Sequence, residues 1–276
     1  MIGTRELVND EGLLSGDEAL LSGDEALLTG DDPPVFEIRR ADARSDFVLT
    51  CDHAGLRIPR KLATLNLSEQ ELATHVACDL GVAELGQRLS ARLDAFLILH
   101  NYSRLVIDPN RPPGAHDSIV VLSERTRVAA NEALTREDVR QRVEELFEPY
   151  HRRIADELDR RTTSGRGSVL VTLHTFTPVF LDKPRPWHVG VLYGRDARLA
   201  RRVLTALRAD PALVVGDNQP YAVSDASDYT LVVHGERRGI EHVEIEVRQD
   251  LLADEAGVEG WAERLAIVLE EAAMPP

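Results

Sequence analysis

The 276 residues predict one layered α/β domain, a largely parallel or mixed sheet covered by helices, behind an acidic N-terminal tail. Three observations predict it. Short apolar runs rich in Val, Ile, Leu and Phe alternate with longer amphipathic stretches, as in strands linked by crossover helices. Hydrophobic residues make up 43% of the chain, enough for a core and too many for wholesale disorder. Gly, Pro and short polar clusters punctuate the steps between the two kinds of stretch.

The elements follow in order. A strand is expected at 47–51, where five residues read Phe-Val-Leu-Thr-Cys. A helix over 68–91 opens on Ser68 with Glu71 three residues later, a capping box in which each side chain satisfies the other's backbone N–H. Strands at 95–100 and 104–107 come next. A second long helix over 135–161 begins at Thr135, with Asp138 as a weaker form of the same signal. Gly165 and Gly167 then lead into a strand at 168–174. A strand at 188–193, a helix over 196–209, strands at 229–233 and 243–247 and a helix over 255–272 complete the domain.

The tail is set apart by charge. Residues 1–34 hold nine acids and one base, Arg5, and so carry more than half of the net charge of −15. They also repeat: Leu13 to Ala19 recurs identically as Leu20 to Ala26, and a variant unit runs from Leu27 to Pro33. A Gly in each unit opposes a continuous helix by roughly 1 kcal/mol. A solvated tail over 1–34 and a single α/β domain over 35–276 are expected. The alternative for the tail is a segment that docks a protein partner through its Leu-Leu pairs.

Composition excludes several function classes. An acidic surface does not suit the phosphate backbone, so no nucleic-acid partner is expected. No apolar run approaches the roughly 18 residues of a membrane span, and no signal sequence opens the chain, so a cytoplasmic location is expected. Two cysteines, Cys51 and Cys78, make neither a disulfide framework nor a four-thiolate zinc site, and both are expected to pack. The chain lacks G-x-S-x-G, the P-loop, G-x-G-x-x-G and H-E-x-x-H.

In α/β sheets, ligands gather at the carboxyl ends of strands. The strand at 47–51 runs into Asp52 and His53, and the strand at 168–174 ends on His174. Two histidines so placed suit a divalent metal, since imidazole is the commonest nitrogen ligand for zinc. Asp79 is the third candidate ligand and Asp52 its competitor. His75 and Asp79, four apart on the expected helix, share a face. On the strand at 243–247, Glu244, Glu246 and Arg248 point one way while Val243, Ile245 and Val247 point the other. Glu246 is the candidate general base, with Arg248 as charge partner or substrate clamp. Arg104 and Arg111 flank a short apolar run, and guanidinium groups near strand ends suit carboxylate recognition. Arg237 and Arg238 are read as surface ion pairs.

Eight stretches in order resemble the N-formylglutamate amidohydrolase family: Cys51 to Gly55 with Pro59, His75 to Asp79, Ser103 to Arg111, Leu173 to Pro178, Trp187 to Tyr193, Gly216 to Tyr221, His234 to Arg238, and Val243 to Asp250. The resemblance spans the chain from about Asp46 and omits the tail. It implies a three-layer phosphorylase/hydrolase-like fold, related to zinc carboxypeptidases, and hydrolysis of an N-formyl amide to formate and an amino acid. It also implies one zinc ion on His53, His174 and Asp79, a catalytic Glu246, and a substrate-binding motif on Arg104, Asn110 and Arg111. The small-molecule partner is then an N-acyl amino acid such as N-formyl-L-glutamate, whose two carboxylates call for more than one arginine. His188, His234 and Arg248 are further candidates for substrate contact. Two positions depart from relatives: Leu251-Leu252 replaces a Tyr after the strand glutamate, and Leu56 stands where a carboxypeptidase places a zinc-binding Glu. The rival readings are a metallocarboxypeptidase-like or other N-acyl-amino-acid hydrolase, and a non-catalytic metal- or ligand-binding protein on the same fold.

Overall fold

The computed structural model describes residues 26–274. In chain order the strands are β1 (Phe36–Arg39), β2 (Phe47–Cys51), β3 (Phe96–His100), β4 (Leu122–Ser123), β5 (Thr126–Arg127), β6 (Val169–Phe176), β7 (Val179–Phe180), β8 (Lys183–Pro184), β9 (Val189–Leu192), β10 (Val215–Asp217) and β11 (Glu241–Arg248). The α-helices are α1 (Glu69–Leu72), α2 (Val82–Leu93), α3 (Arg136–Arg142), α4 (Glu148–Thr163), α5 (Arg198–Arg208) and α6 (Glu255–Ala273). Among the described residues, no helix is long and apolar enough to cross a membrane.

Seven strands form one mixed sheet in the order β1-β3-β2-β6-β11-β9-β10. The pairs β3·β2, β2·β6, β6·β11 and β9·β10 are parallel. The pairs β1·β3 and β11·β9 are antiparallel. On one face Leu49, Val171, Leu173, Val243, Ile245 and Val247 pack against α2, α5 and α6 in the largest apolar cluster. The other face changes character along each central strand. It starts apolar, with Val48, Phe96, Ile98 and Leu170 under Tyr150, Ile154 and Leu158 of α4. Two to four residues later the same face carries Thr50, His100, Thr172, His174, Glu244 and Glu246, all buried. Because side chains alternate, the polar ends of four strands therefore collect on one side of one sheet edge.

Both expected caps are present: Ser68 and Glu71 form a reciprocal box at α1, and Thr135 and Asp138 do so at α3. The expected helix over 68–91 is instead two helices. Residues 73–81 leave the helical path because their backbone is bonded to the strand ends, Asp79 N–H to the His53 carbonyl at 2.9 Å and the Ala77 carbonyl to Ser103 Oγ at 2.7 Å. Gly81 restarts the helix with φ +81°, and a Cβ there would lie 2.7 Å from Leu252 Cβ. The expected strand at 104–107 is a turn whose Leu105, Val106 and Ile107 are all buried in a second cluster. The expected strand at 229–233 runs into a π-helical turn, Leu231–Glu236. The long helix over 135–161 is continuous, with a π-helical turn at Val143–Phe147 between α3 and α4.

Most of the expected tail, residues 1–25, lies outside the described residues. Its last part is packed. Leu27 is buried in the second cluster, and Glu145 accepts the backbone N–H groups of Leu27 and Leu28 at 2.7 and 2.8 Å. A solvated tail reaching to Pro34 is thus corrected: the third repeat unit is part of the domain.

Candidate functional site

Parallel register places the central residues side by side. Glu246 of β11 pairs with His174 of β6, and Glu244 with Thr172. On the other side of β6, Thr50 pairs with Thr172, which brings Asp52, two residues past Thr50, level with His174. The chain leaving β2 carries His53, and Gly55 lets it turn against the Asn101 backbone, where a Cβ would lie 2.0 Å from the carbonyl. Asp79 reaches the same point from the segment before α2.

Three atoms converge there. His53 Nδ1 and His174 Nδ1 are 3.1 Å apart, Asp79 Oδ2 is 3.1 Å from His174 Nδ1, and it is 3.4 Å from His53 Nδ1. Tetrahedral ligands at about 2.0–2.1 Å from zinc stand roughly 3.3 Å from one another, so this triangle fits such an ion. The outward nitrogens are backed by carboxylates. His53 Nε2 lies 2.7 Å from Asp108 Oδ1, and His174 Nε2 lies 3.5 Å from Asp52 Oδ2. Carboxylates behind metal-facing imidazoles fix the tautomer and the ring orientation. Asp52 therefore stands behind the triangle rather than in it, with Oδ1 accepting from the Tyr150 hydroxyl at 2.6 Å.

The electrostatics suit a cation. Burial opposes ionisation of Asp52, Asp79 and Asp108, yet each is held well below the usual carboxylate range. His174 does this for Asp52, His53 and His174 for Asp79, and Arg104 and His53 for Asp108. Burial likewise opposes charge on His174, but Glu244, Asp52 and Asp79 hold its proton far above the ordinary imidazole value. A pocket that keeps a proton on a buried imidazole is one that favours a divalent ion in its place. Glu244 and Glu246 behave oppositely: burial, together with neighbouring carboxylates, raises them to about 8 and about 7.

A cavity of about 240 Å³ opens on the triangle, lined by His53, Asp79, His174, Arg104, Asn110, Arg111, Thr175, Tyr221, Asp228, Glu244 and Glu246 among others. Arg104 spans Asp108 Oδ2 at 2.8 Å and Asp79 Oδ1 at 3.4 Å. Arg111 bonds Asp117 and the Ser227 carbonyl, while Asn110 Oδ1 accepts from the N–H groups of Tyr229 and Thr230, both at 3.0 Å. Three of the sequence candidates stand elsewhere. His188 accepts from Val214 N–H at 2.9 Å and lines a different groove. Arg248 pairs with Asp250 at 2.7 Å. His234 is buried behind the site, its Nε2 3.1 Å from His151 Nδ1. His75 shares no helical face with Asp79, since neither is helical, and its Nε2 sits 3.0 Å from Glu124. Cys51 and Cys78 are both buried with thiols pushed up by burial, Cys78 to about 12. Sequence reasoning left Asp108, Tyr221, Asp228 and Glu244 without a role here. Glu244 had a signal, because it shares the alternation that selected Glu246.

The N-formylglutamate amidohydrolase family model matches residues 45–253. No curated protein matches the chain. A crystallised gene product of Agrobacterium tumefaciens is 34% identical, with 89% of this chain and 97% of that chain covered and a TM-score of 0.87. The N-formylglutamate amidohydrolase of Ralstonia eutropha JMP134 shares the fold at 17% identity and a TM-score of 0.61, over 87% of this chain and 97% of that one. The chain belongs to the N-formylglutamate amidohydrolase family, and so to the amide hydrolases.

Proposed function

We propose that the chain is a zinc-dependent hydrolase that cleaves the N-formyl, or a similar N-acyl, amide of an acidic amino acid such as N-formyl-L-glutamate. The observation that carries the reading is the triangle of His53 Nδ1, His174 Nδ1 and Asp79 Oδ2, with edges of 3.1 to 3.4 Å and a carboxylate behind each ring. These three residues would hold the ion. When bound, zinc lowers the pKa of a water to about 7 and polarises a carbonyl.

The remaining chemistry belongs to the chain. Glu246, beside His174 in the strand register, takes the proton from the attacking water and delivers it to the departing amide nitrogen. The water oxygen adds to the formyl carbon, the carbon–nitrogen bond breaks, and formate and the amino acid leave. Arg104, clamped between Asp79 and Asp108, holds both aspartates in place beside the triangle. Asn110 acts by holding the Tyr229–Thr230 backbone in place, and Arg111 holds Ser227, so both shape the cavity wall.

The test pairs zinc content with formate release from N-formyl-L-glutamate. One zinc per chain, lost in His53→Ala with His174→Ala, together with formate release lost in Glu246→Gln at unchanged zinc content, is the expected result. A protein that takes up no metal, or a Glu246→Gln variant of undiminished turnover, overturns the mechanism.

A further inference from the structure

Three arginines that the sequence offers for substrate carboxylates already have anionic partners. Arg104 is held by Asp79 and Asp108, Arg111 by Asp117, and Arg248 by Asp250. A guanidinium so neutralised has little net attraction left for a second carboxylate. Arg185 differs. Among the described residues it has no carboxylate within ion-pair distance, although it lies on β8–β9 connecting chain close to the cavity wall. It is held by aromatic rings instead. Its guanidinium carbon lies 4.6 Å from the Phe180 ring centre, 4.9 Å from that of Tyr221 and 5.9 Å from that of Phe176. Stacking of this kind fixes a guanidinium without cancelling its charge.

Arg185 also donates from Nη1 to the Tyr221 hydroxyl oxygen at 2.9 Å. Because that oxygen accepts from Arg185, its own proton is turned elsewhere. Tyr221 lines both the main cavity and a side cavity of about 120 Å³, whose wall includes Phe176, Phe180, Thr175, Thr177 and Arg104. The other charged groups on the side cavity are His75, whose Nε2 faces Glu124, and the Asp79–Arg104 pair.

We propose that Tyr221 and Arg185 form the subsite that recognises the distal carboxylate of an acidic substrate, Tyr221 by contact and Arg185 as the positioning residue that supplies charge through it. This rests on the reading of the chain as a hydrolase of acidic N-acyl amino acids and deepens it. Specificity for an anion then comes from a cation outside the metal centre, and the arginines next to the metal serve the site's own aspartates.

The test is a binding measurement that needs no turnover. Calorimetric titration of the zinc-loaded protein with glutarate and with its monoamide, glutaramate, reads the contribution of the second carboxylate alone. Wild type is expected to prefer glutarate at least tenfold. Arg185→Met and Tyr221→Phe are each expected to reduce the preference to within threefold at unchanged zinc content, and Arg185→Lys to restore part of it. A preference that survives in Arg185→Met, or that is absent from wild type, overturns the subsite. With N-formyl-L-glutamate, Arg185→Met is expected to raise KM with kcat nearly unchanged, the sign of a contact made equally in ground and transition states. Equal loss of glutarate and glutaramate binding, with no rescue by Lys, would show a structural role and overturn the proposal. Failure to release formate from any N-formyl amino acid, with the glutarate preference present in wild type and lost in Arg185→Met, would refute the deformylase reading and leave the subsite standing.

Discussion

Replacing Glu246 by Gln should stabilise the metal-free protein at high pH while removing its activity. Glu246 is 5% exposed, and its carboxyl is raised from 4.5 to about 7, chiefly by burial and further by Asp79. Between those two values the folded chain holds a proton that the unfolded chain has released. The contribution is therefore fully present below about pH 4.5 and is lost as the pH rises toward 7. One pKa unit corresponds to about 1.4 kcal/mol. On this scale the loss amounts to roughly 1 kcal/mol at pH 5.5 and roughly 3 kcal/mol at pH 8. Gln cannot ionise and does not incur it. Urea unfolding of chelator-treated proteins at the two pH values should show the variant gaining about 2 kcal/mol over wild type between pH 5.5 and 8. Glu244 shares the cavity and is raised to about 8, so the protons belong to the pair, and Glu244→Gln should move stability in the same direction. Formate release by Glu246→Gln should fall by about 10²–10⁴, the usual worth of a general base. A variant whose stability relative to wild type is the same at both pH values would refute the reasoning, because a packing change alone has no pH dependence.

Other perturbations reach different parts of the structure. Asp108→Asn removes the anionic partner of His53 Nε2, 2.7 Å away, and should weaken zinc binding by about 10–100-fold, read by chelator competition. Gly55→Ala drives a Cβ to 2.0 Å from the Asn101 carbonyl, and it should destabilise the fold by about 1–3 kcal/mol and loosen His53, seen in lowered melting temperature and zinc affinity together. Removing residues 1–33 takes Leu27 out of its cluster and should cost about 2 kcal/mol or more in chemical denaturation.

What was legible in the sequence was local. His53 and His174 stand out because they follow apolar runs, His174 directly and His53 after a single Asp, and Glu246 because alternation on a buried strand makes a carboxylate conspicuous. Capping boxes at Ser68 and Thr135 work within four residues and are read without knowing the fold. Where tertiary contacts decided the outcome, the reading failed. Residues 104–107 and 229–233 are apolar runs like any strand, but they are buried as turns rather than paired. The break after Leu72 arises from bonds to His53 and Ser103, which no helical pattern records. Asp108 has no local signal, because its partner His53 is 55 residues away.

The alternation on β11 has a consequence for folding. A slip of one residue against β6 would send Glu244 and Glu246 into the apolar layer beneath α2, α5 and α6, and would turn Ile245 toward the cavity. Ionised carboxylates in that layer would have no partners, so the misaligned sheet is penalised far more heavily than one with neutral residues there. The two acids thus proofread the sheet before they can meet a substrate, and only a chain in correct register assembles the cavity at all.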